Sequence, residues 1–222
     1  MRRETVKRQI VVIGLGRFGS AIARTLHGLG HEVLAVDTDA RNVQDLADEV
    51  THAVQADGTD RDAMAELGVA DFDAAVVAIS SELAPSILTT LTLRDLGCRY
   101  IIAKAANDQH ARILERIGAD RVVFPERETG TRLAHTFAAR AVLDYMDLGP
   151  GYGIAKSKPP AAFLGKALEE LNLREQYGLT LIAVIHGGTE VVLHPRRDER
   201  LGPGDVVVVA GRDEDLERLQ PS

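Results

Sequence analysis

The residues Gly14-Leu15-Gly16-Arg17-Phe18-Gly19 have the types and spacing of a loop that cradles phosphate. Gly14 makes the turn, Gly16 lets the backbone approach a pyrophosphate, and Gly19 allows the following helix to pack closely. Asp37 ends a second apolar run about 20 residues later, where a carboxylate can accept hydrogen bonds from ribose hydroxyls. Arg17 places a guanidinium inside the loop. There it either meets an additional phosphate, which suits it better than a nicotinamide, or faces solvent from the first helical turn. Thr38 follows Asp37 with no arginine beside it, so a ribose 2′-phosphate would meet an uncompensated acid, which argues against NADP. The chemistry these residues support is nucleotide binding.

Other polar residues stand where further parallel strands should end: Asp57, Ser80, Lys104 and Glu126. In an open α/β sheet such ends converge on one crevice, so residues distant in sequence can share a ligand. Each has a plainer alternative. Asp57 with Gly58 can form a turn, Ser80 can cap a helix, and Glu126 after Pro125 can sit at a helix N-terminus.

Residues 7–130 alternate short β-branched runs with helical patterns, which predicts βαβ units and a doubly wound, Rossmann-type parallel sheet. The strands fall at 9–13, 32–36, 52–55, 74–79, 100–104 and 121–124, with helices between them. Residues 131–148 carry Leu133, Phe137, Ala141 and Tyr145 at helical spacing, predicting one more helix that must bury its stripe against another surface. Gly149-Pro150-Gly151 stops it, and Lys156-Ser157-Lys158-Pro159-Pro160 reads as an extended connection. Residues 152–222 read as a small α+β lobe, with strands at 179–186, 190–193 and 206–210. Such a lobe needs a partner surface, which predicts a dimer.

The chain has 222 residues and a net charge of −7, from 33 acidic and 26 basic side chains, which repels phosphate polymers and argues against nucleic acid. A DNA-reading repressor would need a basic face that such a chain lacks. The single cysteine, Cys98, cannot form an internal disulfide, and the seven histidines form no metal motif. No stretch approaches the roughly 20 apolar residues of a membrane span, so a cytoplasmic protein is expected. An NAD-dependent oxidoreductase would share the glycine fingerprint, but the tail is small for a substrate domain and no histidine with an acid partner suggests a proton relay.

Taken in order, Val12-Ile13-Gly14-Leu15-Gly16-Arg17-Phe18-Gly19, His31 to Asp37, Lys104-Ala105, Ile117 to Arg121, Pro125-Glu126, Leu171 to Arg174, Tyr177-Gly178 and Gly204-Asp205 resemble potassium-uptake regulatory subunits of the Ktr/Trk type, built of RCK domains. The resemblance covers nearly the whole chain. It implies a non-enzymatic regulator that binds ATP or ADP, or in some members NAD or NADH. It also implies dimerisation through a crossover helix at 131–148, an octameric ring, and a membrane channel subunit as partner. By motif position Arg17 meets the terminal phosphates, Asp37 the ribose, Asp57 the adenine side, and Glu126 a divalent cation, Mg²⁺ or Ca²⁺. Leu168, Arg174 and Pro195 hold the places that bind cyclic di-AMP in some relatives.

Overall fold

The computed structural model describes residues 6–79, 82–138 and 141–219. The chain divides into two compact units, Met1–Pro125 and Glu126–Ser222. In the first, β1 (Gln9–Ile13), β2 (Glu32–Asp37), β3 (His52–Gln55), β4 (Ala74–Val77), β5 (Ile101–Lys104) and β6 (Arg121–Val123) form one parallel sheet in the order β3-β2-β1-β4-β5-β6. A sheet covered on both faces needs continuous apolar strands, and Ile10 to Ile13 and Val33 to Val36 are all buried. The strand alternation feeds two cores. Val11 and Ile13 pack with Met64, Leu93 and Leu114, while Ile10 and Val12 pack with Ala23 and Leu46.

The covering helices are α1 (Arg17–Gly28), α2 (Ala40–Leu46), α3 (Arg61–Glu66), α4 (Leu83–Asp95) and α5 (Asp108–Arg116). Asp39, Asp60 and Asn107 cap α2, α3 and α5 by accepting from backbone N–H groups at their starts. His110 and Cys98 belong to the interior. His110 is buried, its Nδ1 accepts from the Ala106 N–H at 3.2 Å, and burial holds its pKa below the usual value. Burial likewise pushes the Cys98 thiol up, against the opposing pull of Arg94, which keeps the sulfur inert.

The second unit departs from the expectation for 131–148. Helix α6 (Pro125–Ala138) is followed by two strands, β7 (Val142–Gly149) and β8 (Tyr152–Ser157), and Gly149-Pro150-Gly151 is the turn of their hairpin. The expected crossover helix and linker at 131–151 is therefore part helix, part strand. The physical cause is that the four-residue spacing joined residues of two elements: Leu133 and Phe137 lie on α6, whereas Ala141 and Tyr145 lie beyond its end, where both are buried. Within β7 a break in register between Val142 and Asp144 puts Val142 and Tyr145 both in the core. The lobe continues through α7 (Leu168–Leu171), α8 (Leu173–Tyr177), β9 (Thr180–His186), β10 (Glu190–Leu193), β11 (Val206–Arg212) and α9 (Asp213–Glu217). Its five strands are antiparallel in the order β10-β9-β11-β8-β7.

Tyr145 belongs to this lobe's own core. Its ring stacks under His135 of α6 at 3.9 Å, and its hydroxyl donates to Asp213 at 2.8 Å. Burial, then the Asp213 carboxylate, pushes the phenol well above its usual pKa, so it remains a donor. Gly153 makes the ring's place: a Cβ there would lie 2.2 Å from the Tyr145 ring. Replacing Gly153 with alanine should cost about 1 to 3 kcal/mol, because a ring held on its other face and at its hydroxyl has little room to give. Gly130→Ala should gain about 0.5 to 1 kcal/mol, since Gly130 lies inside α6 and a Cβ there meets nothing within 4 Å. Thermal unfolding of the two variants should shift in opposite directions.

Candidate functional site

The sheet order reverses at β1, whose neighbours are β2 and β4, and the crevice outside the carboxyl ends of those strands is where such sheets bind ligands. Beyond Ile13 the chain turns at Gly14, whose φ of +91° suits glycine and whose Cβ would press on Ile79 at 2.8 Å. Gly19 is needed for a different reason. A Cβ there would stand 1.8 Å from the Gly14 carbonyl oxygen, so only glycine lets α1 come this close to the loop.

Gly16 is the residue left open. It starts α1 in extended conformation with no side-chain cap, and a Cβ on it would meet nothing within 4 Å. The first amides of a 12-residue helix thus face the crevice side of the loop without a side chain to satisfy them, where the helix dipole favours negative charge. This is the observation that fits a phosphate.

Asp37 is held by backbone donors on both sides. Its Oδ2 accepts from the Leu15 N–H at 2.5 Å and its Oδ1 from the Asp39 N–H at 2.8 Å, tying the glycine loop to the end of β2. Each carboxylate oxygen can accept a second hydrogen bond, which leaves capacity for a ribose hydroxyl. The sequence suggested a ribose contact and gave no sign of these backbone bonds. Arg17 is exposed, and among the described residues its guanidinium has no hydrogen-bond or ion-pair partner. Lys104 at the end of β5 places its Nζ 5.6 Å from the centre of the Phe18 ring, bringing a second cation to the same loop.

Asp57 is exposed, and its Oδ1 accepts from both the N–H and the hydroxyl of Thr59 at 2.8 Å, so the turn alternative is realised. The adjoining Gly58 is buried against Ile13 and Thr89, either of which a Cβ would approach within 3 Å. Ser80 lies outside the described residues. Glu126 is in the first turn of α6, as its helix-start alternative has it. No group of three or more His, Cys, Asp or Glu among the described residues is arranged to hold a metal ion.

The second unit has a cleft of 690 Å³ lined by Leu168, Asn172, Arg174, His194, Pro195 and Arg197 among others. It brings Pro195 to Leu168 and Arg174, which are six residues apart on the adjoining helices α7 and α8. Near its wall lies a cluster that sequence reasoning missed: the His186 Nε2 is 2.6 Å from Glu199 Oε1, and its Nδ1 is 2.9 Å from Asp205 Oδ2. The Glu199 contact, then that to Asp205, raises the His186 pKa against the opposing effect of burial. Burial opposes ionisation of Asp205, but the Gly202 N–H and the imidazole outweigh it and hold its carboxyl below the usual range. The signal in the sequence was Gly204-Asp205 beside His186-Gly187, without any spacing that paired them.

The sheet order and glycine loop define a Rossmann-type nucleotide-binding unit, here joined to a small antiparallel lobe. Residues 10–125 match the TrkA-N domain and residues 156–222 the TrkA-C domain. The chain is 38% identical over 213 residues to the Ktr system potassium uptake protein A of Bacillus subtilis (strain 168), covering 96% of each. It belongs to the TrkA-N/TrkA-C family of Ktr-type potassium-uptake proteins. Its fold is that of the GsuK RCK domain, with a TM-score of 0.65 and 22% identity over 99% of this chain and 49% of that one. The first unit is also similar to the NAD(P)-binding domain of an exopolyphosphatase-related protein from Archaeoglobus fulgidus, with a TM-score of 0.52 and 26% identity over 56% of this chain and 93% of that one.

Gly16, which caps α1, and Gly19 within it separate binding from folding. Gly16→Val should leave the melting temperature nearly unchanged and abolish nucleotide binding, because the side chain fills the open approach. Gly19→Ala should lower stability by about 1 to 3 kcal/mol through its clash with the loop. Calorimetric titration with ATP and ADP, beside thermal melts, distinguishes the two.

Proposed function

We propose that this chain is a nucleotide-binding regulatory subunit of a potassium-uptake system, acting by binding rather than by catalysis. The observation that carries it is the uncapped start of α1 at Gly16, with Arg17 and Lys104 bringing positive charge to the same loop of an otherwise acidic chain. The likeness to potassium-uptake relatives along nearly the whole chain supports the regulatory role, and the likeness to an NAD(P)-binding domain supports nucleotide binding in the first unit. A bound ATP or ADP supplies a terminal phosphate whose presence or absence is the signal. The Gly16 amides hold the proximal phosphates, Asp37 orients the ribose, Asp57 borders the adenine side, and Arg17 grips a terminal phosphate. NAD or NADH is the alternative ligand.

Only a contact made in one state and lost in the other can shift an equilibrium between them. Arg17 is that contact in this proposal, and a charge-assisted guanidinium–phosphate pair of about 1.5 to 3 kcal/mol biases each site roughly tenfold to a hundredfold. Glu126 holds Mg²⁺ or Ca²⁺ together with nucleotide phosphates or a second copy of itself, since two facing carboxylates repel without a cation between them. The cleft at Leu168, Arg174 and Pro195 takes cyclic di-AMP. The subunit works as a dimer within an octameric ring against a membrane channel subunit, at the cytoplasmic face. Among the described residues no helix is long and apolar enough to cross a membrane, which fits a separate membrane partner.

Arg17→Gln should leave ADP affinity nearly intact and remove most of the preference for ATP. Isothermal titration of both nucleotides against both proteins checks this, and equal losses would make Arg17 a general phosphate contact.

Assembly has a surface to use. Leu133 and Phe137 of α6 are 48% and 82% exposed, and Met146 of β7 is 62% exposed, whereas Tyr145 is interior. Joint replacement of Phe137 and Met146 by aspartate should therefore reduce the oligomer to smaller species while each still melts cooperatively, because the charges would be buried only in an interface. Light scattering that shows an unaltered large oligomer would rule this surface out.

A further inference from the structure

We propose that His186 is a charge latch behind one lining segment of the second unit's cleft: its doubly protonated ring clasps Glu199 and Asp205 together, holds the 194–201 segment in place, and releases it when the ring loses a proton. The cleft's own ligand is a separate matter, and only the affinity arm of the experiment below rests on the cyclic di-AMP proposal.

The 194–201 segment joins β10 to the approach to β11, and three of its residues, His194, Pro195 and Arg197, line the cleft. Glu199 anchors it from within. One oxygen of its carboxylate meets the His186 ring at 2.6 Å, and the other accepts from the Arg196 N–H at 3.2 Å. The segment also receives the start of α7: the Leu168 N–H donates to the Glu199 carbonyl at 2.9 Å and the Glu169 N–H to the Arg197 carbonyl at 3.0 Å. On the far side of the ring, Asp205 is only 7% exposed and its Oδ2 also accepts from the Gly202 N–H at 2.8 Å. One imidazole therefore couples β9, the lead into β11, the segment and the start of α7.

A ring with a carboxylate at each nitrogen donates to both only when it carries both protons. Once neutral, one nitrogen turns a lone pair toward a carboxylate, and that contact changes from attraction to repulsion. The other charged groups nearby do not replace it. Glu190 stands opposite His186 across the β9–β10 ladder but is exposed. Arg196 pairs with Asp198 at 3.3 Å, and Arg200 pairs with Glu170 at 3.5 Å while donating to the Gly165 carbonyl at 2.6 Å.

The direction with pH follows from the two shifts. The His186 pKa is raised above its ordinary 6.5, so its contribution is complete below 6.5 and is lost as pH rises through the higher folded value. The Asp205 pKa is lowered from 3.8, so its contribution is present above 3.8 and is lost as pH falls through the lower folded value. The latch is closed between these limits and opens on the alkaline side.

The experiment uses the full chain, with amide hydrogen exchange at Leu168 and Glu169 expressed as protection factors across about pH 6 to pH 9, and cyclic di-AMP titrated at the same pH values. Wild-type protection at both amides should fall about tenfold over that range, for loss of one charge-assisted contact at a partly exposed site. His186→Gln, which cannot gain the charge, should show no such fall, and Glu199→Gln should flatten the profile in the same way if the first variant folds poorly. Flat wild-type protection, or an equal fall in the variants, overturns the latch whatever the ligand does. If protection falls as expected and cyclic di-AMP affinity weakens in parallel, both proposals stand. If protection falls but cyclic di-AMP binds at no pH, the latch stands and the assignment of the cleft's ligand is wrong.

Discussion

The first unit depends on how closely one helix approaches the strand that feeds it. The Gly14 carbonyl occupies the place where any side chain on Gly19 would begin, so the loop between them is compressed against α1. That compression sets the position of Gly16 and of the first helical amides. It also places Leu15 where Asp37 can reach its N–H, which links the loop to the neighbouring strand. One steric constraint thereby arranges backbone donors from the loop and an acceptor from β2 around the same crevice.

Charge is distributed around that constraint with some economy. The starts of α2, α3 and α5 are satisfied internally by Asp39, Asp60 and Asn107, and much of the acidic excess lies on exposed surface. Arg17 and Lys104 stand at the glycine loop, where the Asp37 carboxylate is already tied to the Leu15 N–H, in a chain whose net charge is −7.

The strands of the first unit were legible because each is a short apolar run that must be buried on both faces, and the loop was legible because glycine is demanded at fixed positions. Val142 to Gly149 was not, because Ala141 and Tyr145 continue the four-residue spacing of Leu133 and Phe137 although they lie beyond the end of α6. Tyr145 consequently looked like part of an interface stripe, although its ring is fixed over Gly153 and its hydroxyl on Asp213. The tie from Asp37 to the loop was hidden because its partner is a backbone N–H, which leaves no mark on residue type. The His186 cluster was hidden because its partners lie 13 and 19 residues away, brought in only by the folding of the β9 to β11 meander.

The bare start of α1 has a consequence for how the protein carries its information. A helix lacking a cap is incomplete at that end, and whatever anion settles there becomes part of its secondary structure. Occupancy is then a local folding event, and the stability of the helix's first turn tracks the concentration of free ligand by mass action. The metabolic state of the surroundings would be recorded as the firmness of a single turn of backbone.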